Sequence, residues 1–363
     1  MNSPSIPRCH PLATHPSPSS LRLALRLFLT LVLLRCSVGT PTFAQDPALR
    51  FGARVPQEVV TIYDRGLAWL AAQQGQDGEW RDNNRGAGVT GICLMSFLAS
   101  GEDPNHGKYA KPIRLAVRSI LTRQDASSGY YPESMYHHGF AMLALSEAYG
   151  VVDEQLLWEG QKPVRSIAHS LELAIRLAGE SQKRNDFGGW RYSPDSRDAD
   201  TSVTGAMLMG LLAARNAGMD VPDAVVNNAM QYIRRSTGSS GMVAYSGGLG
   251  EGLGGSMNLT AIGTLVGAVS RAKESDEYKS AKGRLLDHLD HRESSYPEYF
   301  GYYMAQALFQ ADYPAWQKWN QIRIRELLQQ QRPDGSFKNS PYSTGMSLLA
   351  LGLNYRLLPI YER

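Results

Sequence analysis

The sequence predicts an all-α fold: an α/α toroid of about six helix pairs, with an inner helical ring inside an outer one, in a single domain over residues 45–363. Three observations predict it. A Thr-Gly pair or a near equivalent recurs at Thr90-Gly91, His138-Gly139, Thr204-Gly205, Thr260-Ala261, Gly301-Tyr302 and Thr344-Gly345, each time leading into an apolar segment. These apolar segments alternate with amphipathic ones. No stretch shows the period-2 alternation of a half-buried strand. The intervals of about 40 to 66 residues leave room in each repeat for two helices and their loops.

The inner helices are read from segments such as Phe140-Ala141-Met142-Leu143-Ala144-Leu145 and Ala206-Met207-Leu208-Met209-Gly210-Leu211-Leu212. A helix that is apolar all round is buried on all sides. The outer helices are expected near 59–74, 111–123, 164–178, 223–235, 278–292 and 316–331. In the second of these, Ile113, Ala116, Val117, Ile120 and Leu121 recur near a 3.6-residue period, with Arg114 and Arg118 together on the other face. The connecting loops repeat as well. Gln73-Gln74-Gly75-Gln76-Asp77-Gly78-Glu79-Trp80 returns as Gln330-Gln331-Arg332-Pro333-Asp334-Gly335-Ser336-Phe337, with relatives at Gln124 to Tyr131 and Asn185 to Trp190. Gly supplies the positive φ needed after a helix end, the aromatic packs back over the helix pair, and Gln bonds neighbouring backbone.

A hydrophobic fraction of 43% and a charged fraction of 20% support a large core and exclude bulk disorder. Residues 1–44 hold four Arg and no acid; subtracting those from the 37 basic residues leaves 33, against 34 acidic. That balance offers no electrostatic footprint for nucleic acid or anionic lipid. The apolar run Leu27 to Leu34, followed by Thr42-Phe43-Ala44, reads as a signal peptide ending at Ala44. It is too short to span a bilayer, so export without a transmembrane span is expected, with an uncleaved leader as the membrane-associated alternative. Beyond Ala44 only Cys93 remains, a buried thiol in an apolar segment with no partner for a disulfide.

On these motifs the sequence resembles the prenyltransferase and squalene-oxidase repeat proteins. Their α/α-toroid superfamily includes squalene–hopene cyclases, class II terpenoid cyclases and protein prenyltransferase β-subunits. It looks most like exported single-toroid bacterial members, through Met135-Tyr136-His137-His138-Gly139, Gly188-Gly189-Trp190 and Asn354 to Tyr361. The resemblance implies that Asp198-Ala199-Asp200-Thr201 stands where those cyclases carry Asp-x-Asp-Asp. Asp200 would be the alkene-protonating acid and Asp198 the start of the motif, with Thr201 replacing the last Asp. The prenyltransferase zinc site is not matched, because Gly91 stands two residues before Cys93 and none of His106, His137, His138, His169, His288 and His291 pairs with a second thiolate. No metal or cofactor is expected. Asp287-His288-Leu289-Asp290-His291 reads as the solvated face of an outer helix.

Read from the residues themselves, Asp200, Thr201 and Ser202 precede a helix and suit its N-cap, a role compatible with an acid at the toroid mouth. Tyr136, His137 and His138 begin an inner helix, and Trp190, Tyr192, Tyr299, Tyr303 and Tyr342 lie near other mouths, as candidate ligand contacts. The Gly-rich stretch Tyr245 to Ser256 is a candidate lid. The leading expectation is a ligand- or partner-binding toroid whose cyclase motif is degenerate, taking an isoprenoid or other apolar ligand, a glycan or a protein. A reduced class II cyclase using Asp200 and a polysaccharide-degrading toroid are the alternatives.

Overall fold

The computed structural model describes residues 55–81, 86–158, 160, 162–246 and 254–361. The leader and most of the Gly-rich stretch lie outside them. Among the described residues, twelve α-helices follow one another: α1 (Gln57–Gln73), α2 (Ala87–Leu98), α3 (Ala110–Arg123), α4 (Met135–Ala148), α5 (Ile167–Lys183), α6 (Thr201–Asn216), α7 (Asp223–Arg235), α8 (Met257–Val269), α9 (Asp276–Leu286), α10 (Pro297–Ala311), α11 (Tyr313–Gln330) and α12 (Pro341–Gly352). The even-numbered helices are the inner ring. Each packs on the next in order, and α12 packs back on α2 to close the circle. Every residue of α2 and of α8 is buried, as an inner wall demands. The odd-numbered helices lie outside and bury one stripe each, in α3 through Ile113, Ala116, Val117, Ile120 and Leu121. No helix among the described residues is long and apolar enough to cross a membrane.

Polar straps fasten the outer ring. Gln74, Gln124, Gln182 and Gln331 stand at or near the ends of α1, α3, α5 and α11. Each amide donates to its own loop, at Gly78, Gly129, Gly188 or Gly335, and to a carbonyl of the next outer helix, at Pro112, Ser170, Val225 or Ile62. The glycines are required by conformation and by space. Gly335 has φ 96° and Gly78 φ 83°, and an added Cβ would fall 2.3 Å from the Arg65 carbonyl oxygen and 2.1 Å from that of Leu115.

Two expected helices differ: the one read at 164–178 begins at Ile167 and runs on to Lys183. The segment 278–292 is helical only as α9, which ends at Leu286. His288 and His291 then donate their backbone N–H groups three residues back, to Leu285 and His288, and this tighter pattern unwinds the helix end. His288 is exposed and its Nδ1 meets the Arg284 carbonyl (2.9 Å). Cys93 is buried.

After α12 the chain runs to a short 3₁₀ turn, Pro359–Tyr361, that packs on α6. Leu358 and Ile360 are buried there, and the Ile360 N–H donates to Glu147 Oε1 (3.3 Å) at the C-terminal end of α4. The tail thus covers the end of the ring where these inner helices finish. The opposite end, where they begin, carries the cavity.

Candidate functional site

The first turn of each inner helix has two kinds of position. Side chains at the N-cap and at the fourth residue lie on one face, one above the other. In this ring that face meets the preceding loop. Ser134, Ser256 and Ser340 cap α4, α8 and α12 by accepting the backbone N–H of the third helical residue, and Asp200 does the same for α6 through Oδ1 to Val203 (2.8 Å). At the fourth residue Thr204, Thr260 and Thr344 accept the backbone N–H groups of Trp190, Val243 and Phe337 at 3.0–3.2 Å. His138 does this work in α4, its Nδ1 accepting from Tyr131 N–H (3.2 Å).

The second and third residues turn towards the bore. Tyr136, Ser202, Asn258 and Tyr342 are second residues, and His137, Leu259 and Tyr299 third residues, of inner helices; all line one cavity of about 880 Å³. Tyr192, Tyr245 and Tyr296 complete a set of six tyrosines in its wall. Among the described lining residues Glu293 is the one carboxylate and there is no Lys or Arg.

Burial pushes the phenols of Tyr136, Tyr245, Tyr299 and Tyr342 up, so they stay protonated hydroxyls. The Tyr136 ring lies 5.0 Å from Phe140 and 6.1 Å from Tyr299. His137 Nδ1 accepts the Gly88 N–H (3.3 Å), which places the proton of the neutral ring on Nε2; burial lowers its pKa, favouring that neutral form. Glu293 accepts the Ser295 N–H (3.2 Å) and stands 3.7 Å from His291 Nε2.

Five of the residues singled out from sequence thus meet at the cavity: Tyr136, His137, Tyr192, Tyr299 and Tyr342. Five others stand elsewhere. His138 is fully buried in the wall with both ring nitrogens engaged, Nε2 reaching the Ala174 carbonyl (3.1 Å), and desolvation lowers its pKa to about 4. Trp190 is buried, its indole donating to the Ala178 carbonyl (3.0 Å). Tyr303 packs behind Tyr299, edge to face at 4.8 Å. Asp198 points outward and pairs with Arg191 (2.6 Å). Asp200 is buried beside the cavity without lining it; its Oδ2 has no hydrogen-bond partner, and desolvation raises its pKa to about 6. Among the described residues no group of three or more His, Cys, Asp or Glu could hold a metal ion.

Sequence reasoning passed over Asn258, took Ser202 only as part of a helix cap, and passed over Glu293. The register held a signal for the first two: each sits two residues before the recurrent Thr, the place Tyr136 takes before His138. The lid expectation at Tyr245 to Ser256 falls mostly outside the described residues, with Tyr245, Ser246 and Gly254 at the cavity edge.

No protein-family model matches the chain, and no curated protein matches it. Solved structures do. The GH76A α-1,6-mannanase of Salegentibacter sp. HEL1_6 superposes with a TM-score of 0.63 at 10% identity, over 83% of this chain and 99% of that one. An inactive variant of it in complex with α-1,6-mannotriose gives 0.61 at 10% identity, over 83% and 99%. The type II terpene cyclase MstE from Scytonema gives 0.56 at 16% identity, over 83% and 99%. At such identities the likeness is one of fold. The chain is an α/α toroid, with a tyrosine-rich cavity where the inner helices begin.

Proposed function

We propose that this toroid binds a ligand in the cavity at the N-terminal end of its inner helices, without cyclase chemistry at Asp198 and Asp200. The arrangement of Asp200 carries the reading. It occupies the cap position that Ser134, Ser256 and Ser340 hold in other repeats, and it is not a lining residue. Asp198 faces away in an ion pair. Glycoside hydrolysis in its usual form needs two carboxyl groups flanking the substrate, and Glu293 alone lines the cavity among the described residues. The tyrosine and hydroxyl lining supports binding instead.

One observation favours a second reading. The unpartnered Oδ2 of Asp200 and its raised pKa are what a protonating acid requires, so a reduced class II cyclase is the rival. The test is expression in a bacterium that makes squalene and polyprenols, with mass spectrometry of bound and newly formed lipids beside the Asp200→Asn variant. The binding reading expects no new cyclic product; a cyclic hydrocarbon that disappears in the variant overturns it. Export through residues 1–44 is part of the proposal, checked by N-terminal sequencing of secreted protein, where a chain beginning at Gln45 is expected.

A further inference from the structure

We infer that this cavity takes a small organic cation, its ammonium group held by the Glu293 carboxylate against the exposed ring of Tyr296. The inference rests on the cavity reading above and names the chemistry of the ligand.

The cavity is a cup. Tyr136 and Tyr299 meet across the bore with ring centroids 6.1 Å apart, and Phe140 and Tyr302 at 6.2 Å. Each pair joins α4 to α10, three places apart in the ring of six, so aromatic packing closes the bore beneath the cavity. A ligand is therefore met first by what projects at the rim. Tyr296 is 72% exposed and Tyr192 50%, which leaves both rings open to it. Tyr296 is held there by left-handed backbone (φ 61°, ψ 54°), immediately before Pro297. Three residues earlier, Glu293 lines the same wall and keeps 14% of its side chain exposed. One of its oxygens, Oε1, accepts the Ser295 N–H (3.2 Å). The other, Oε2, stands 3.7 Å from His291 Nε2, beyond hydrogen-bond reach, and is left for a ligand.

Charge decides the class. Among the described lining residues no Lys or Arg opposes Glu293. An anion is repelled, and a neutral ligand takes the carboxylate out of water without balancing its charge; a cation balances it. The positive ends of the inner helices do not reverse this, because protein atoms accept their first-turn N–H groups. The cap oxygens of Ser134, Asp200, Ser256 and Ser340 do so in α4, α6, α8 and α12, and His137 Nδ1 does so for Gly88 of α2. Aromatic faces add to the preference, since a tyrosine ring attracts a cation placed over it. Arg191 lies over Tyr245 in this way, 5.8 Å from the ring centroid. On the α4 side, across the ring from Glu293, the Nε2–H of His137 can donate to an oxygen of the same ligand. Cations that also carry an oxygen, such as choline and betaines, suit both walls.

The test is calorimetry of the purified chain with choline, glycine betaine and tetramethylammonium, beside the uncharged isostere of choline in which carbon replaces nitrogen. A neutral trisaccharide, farnesol micelles and inorganic phosphate are the competing chemistries. Choline or betaine is expected to bind, and the uncharged isostere to bind about tenfold more weakly than choline or worse. Glu293→Gln, which keeps an oxygen for the Ser295 N–H, should weaken cation binding about tenfold, and Tyr296→Leu about fivefold. Both residues reach solvent, so the Tm of each variant should match the parent's; the isostere comparison needs no variant and holds whether or not they fold. Equal binding of choline and its isostere overturns the cation assignment. Binding of saccharide, farnesol or phosphate with no ammonium probe bound does the same and leaves the cavity reading standing. No binding by any probe overturns both. Cation binding that both variants leave unchanged overturns the roles of Glu293 and Tyr296.

Discussion

The entrances to α4 and α6 are built on one plan and differ at two side chains. Both helices are capped by an oxygen that accepts the third residue's N–H, from Ser134 in α4 and Asp200 in α6. Both clamp the preceding loop with the fourth residue, His138 in α4 and Thr204 in α6. His138 uses its extra nitrogen on the Ala174 carbonyl, whereas the extra oxygen of Asp200 is left unpaired. An unusual residue in a repeat therefore does not by itself mark a site. It marks surplus hydrogen-bonding capacity, and where that surplus goes must be followed atom by atom.

The comparison can be broken at several points. His138→Ala orphans two buried backbone groups, Tyr131 N–H and Ala174 C=O, and leaves a void, so chemical denaturation should show a loss of about 4 kcal/mol. His138→Thr, which can restore the clamp alone, should recover about half. The pH dependence has a definite sign. Because the folded pKa lies below the ordinary histidine value of 6.5, His138 contributes stability above about pH 6.5 that is lost as pH falls through about 4; His138→Thr should flatten that acid limb.

Gly139→Ala should cost about 3 kcal/mol, since the new Cβ would lie 2.7 Å from the Ala206 carbonyl carbon, backbone that moves only if α4 and α6 separate. Gly205→Ala in α6 meets the Ile262 Cγ2 at 2.3 Å, a side chain that can rotate, and should cost less by the same measurement.

Asp200 bears on the opposite limb. Its folded pKa, near 6, is above the ordinary 3.8, so its contribution is fully present below about pH 4 and lost as pH rises through 6. Asn caps as well as Asp and does not ionise. Asp200→Asn should match the parent at pH 4 and exceed it by about 2 kcal/mol at pH 8 in urea titrations. A large loss at both values would break the capping account. Asp198→Asn removes only an exposed ion pair and should shift stability by less than about 0.5 kcal/mol.

Much of this fold was legible because its signals are local. The inner and outer helices follow from hydrophobic periodicity, and the loop glycines and strapping glutamines from a motif written several times. The overlong reading of 278–292 failed where apolar periodicity persisted past Leu286 while the backbone bonds tightened. The site was only half legible. Tyr136, Tyr192, Tyr299 and Tyr342 drew notice as aromatics near helix starts, whereas Asn258 has an ordinary helix-start appearance and becomes notable only through a neighbour, Ser295, 37 residues away. Trp190 and Tyr303 are aromatic as well and are consumed by the core.

The sequence by itself determined the toroid, the cap at Asp200 and the glycine turns of the loops, because a cap, a positive-φ turn and a 3.6-residue stripe are each satisfied within a few residues. The tertiary structure alone decided which first-turn residues reach the bore, and which hydrogen-bonding atoms are left without partners there. Those depend on how far each inner helix is rotated about its axis, and that rotation is set jointly by two ring neighbours and an outer helix distant in the chain.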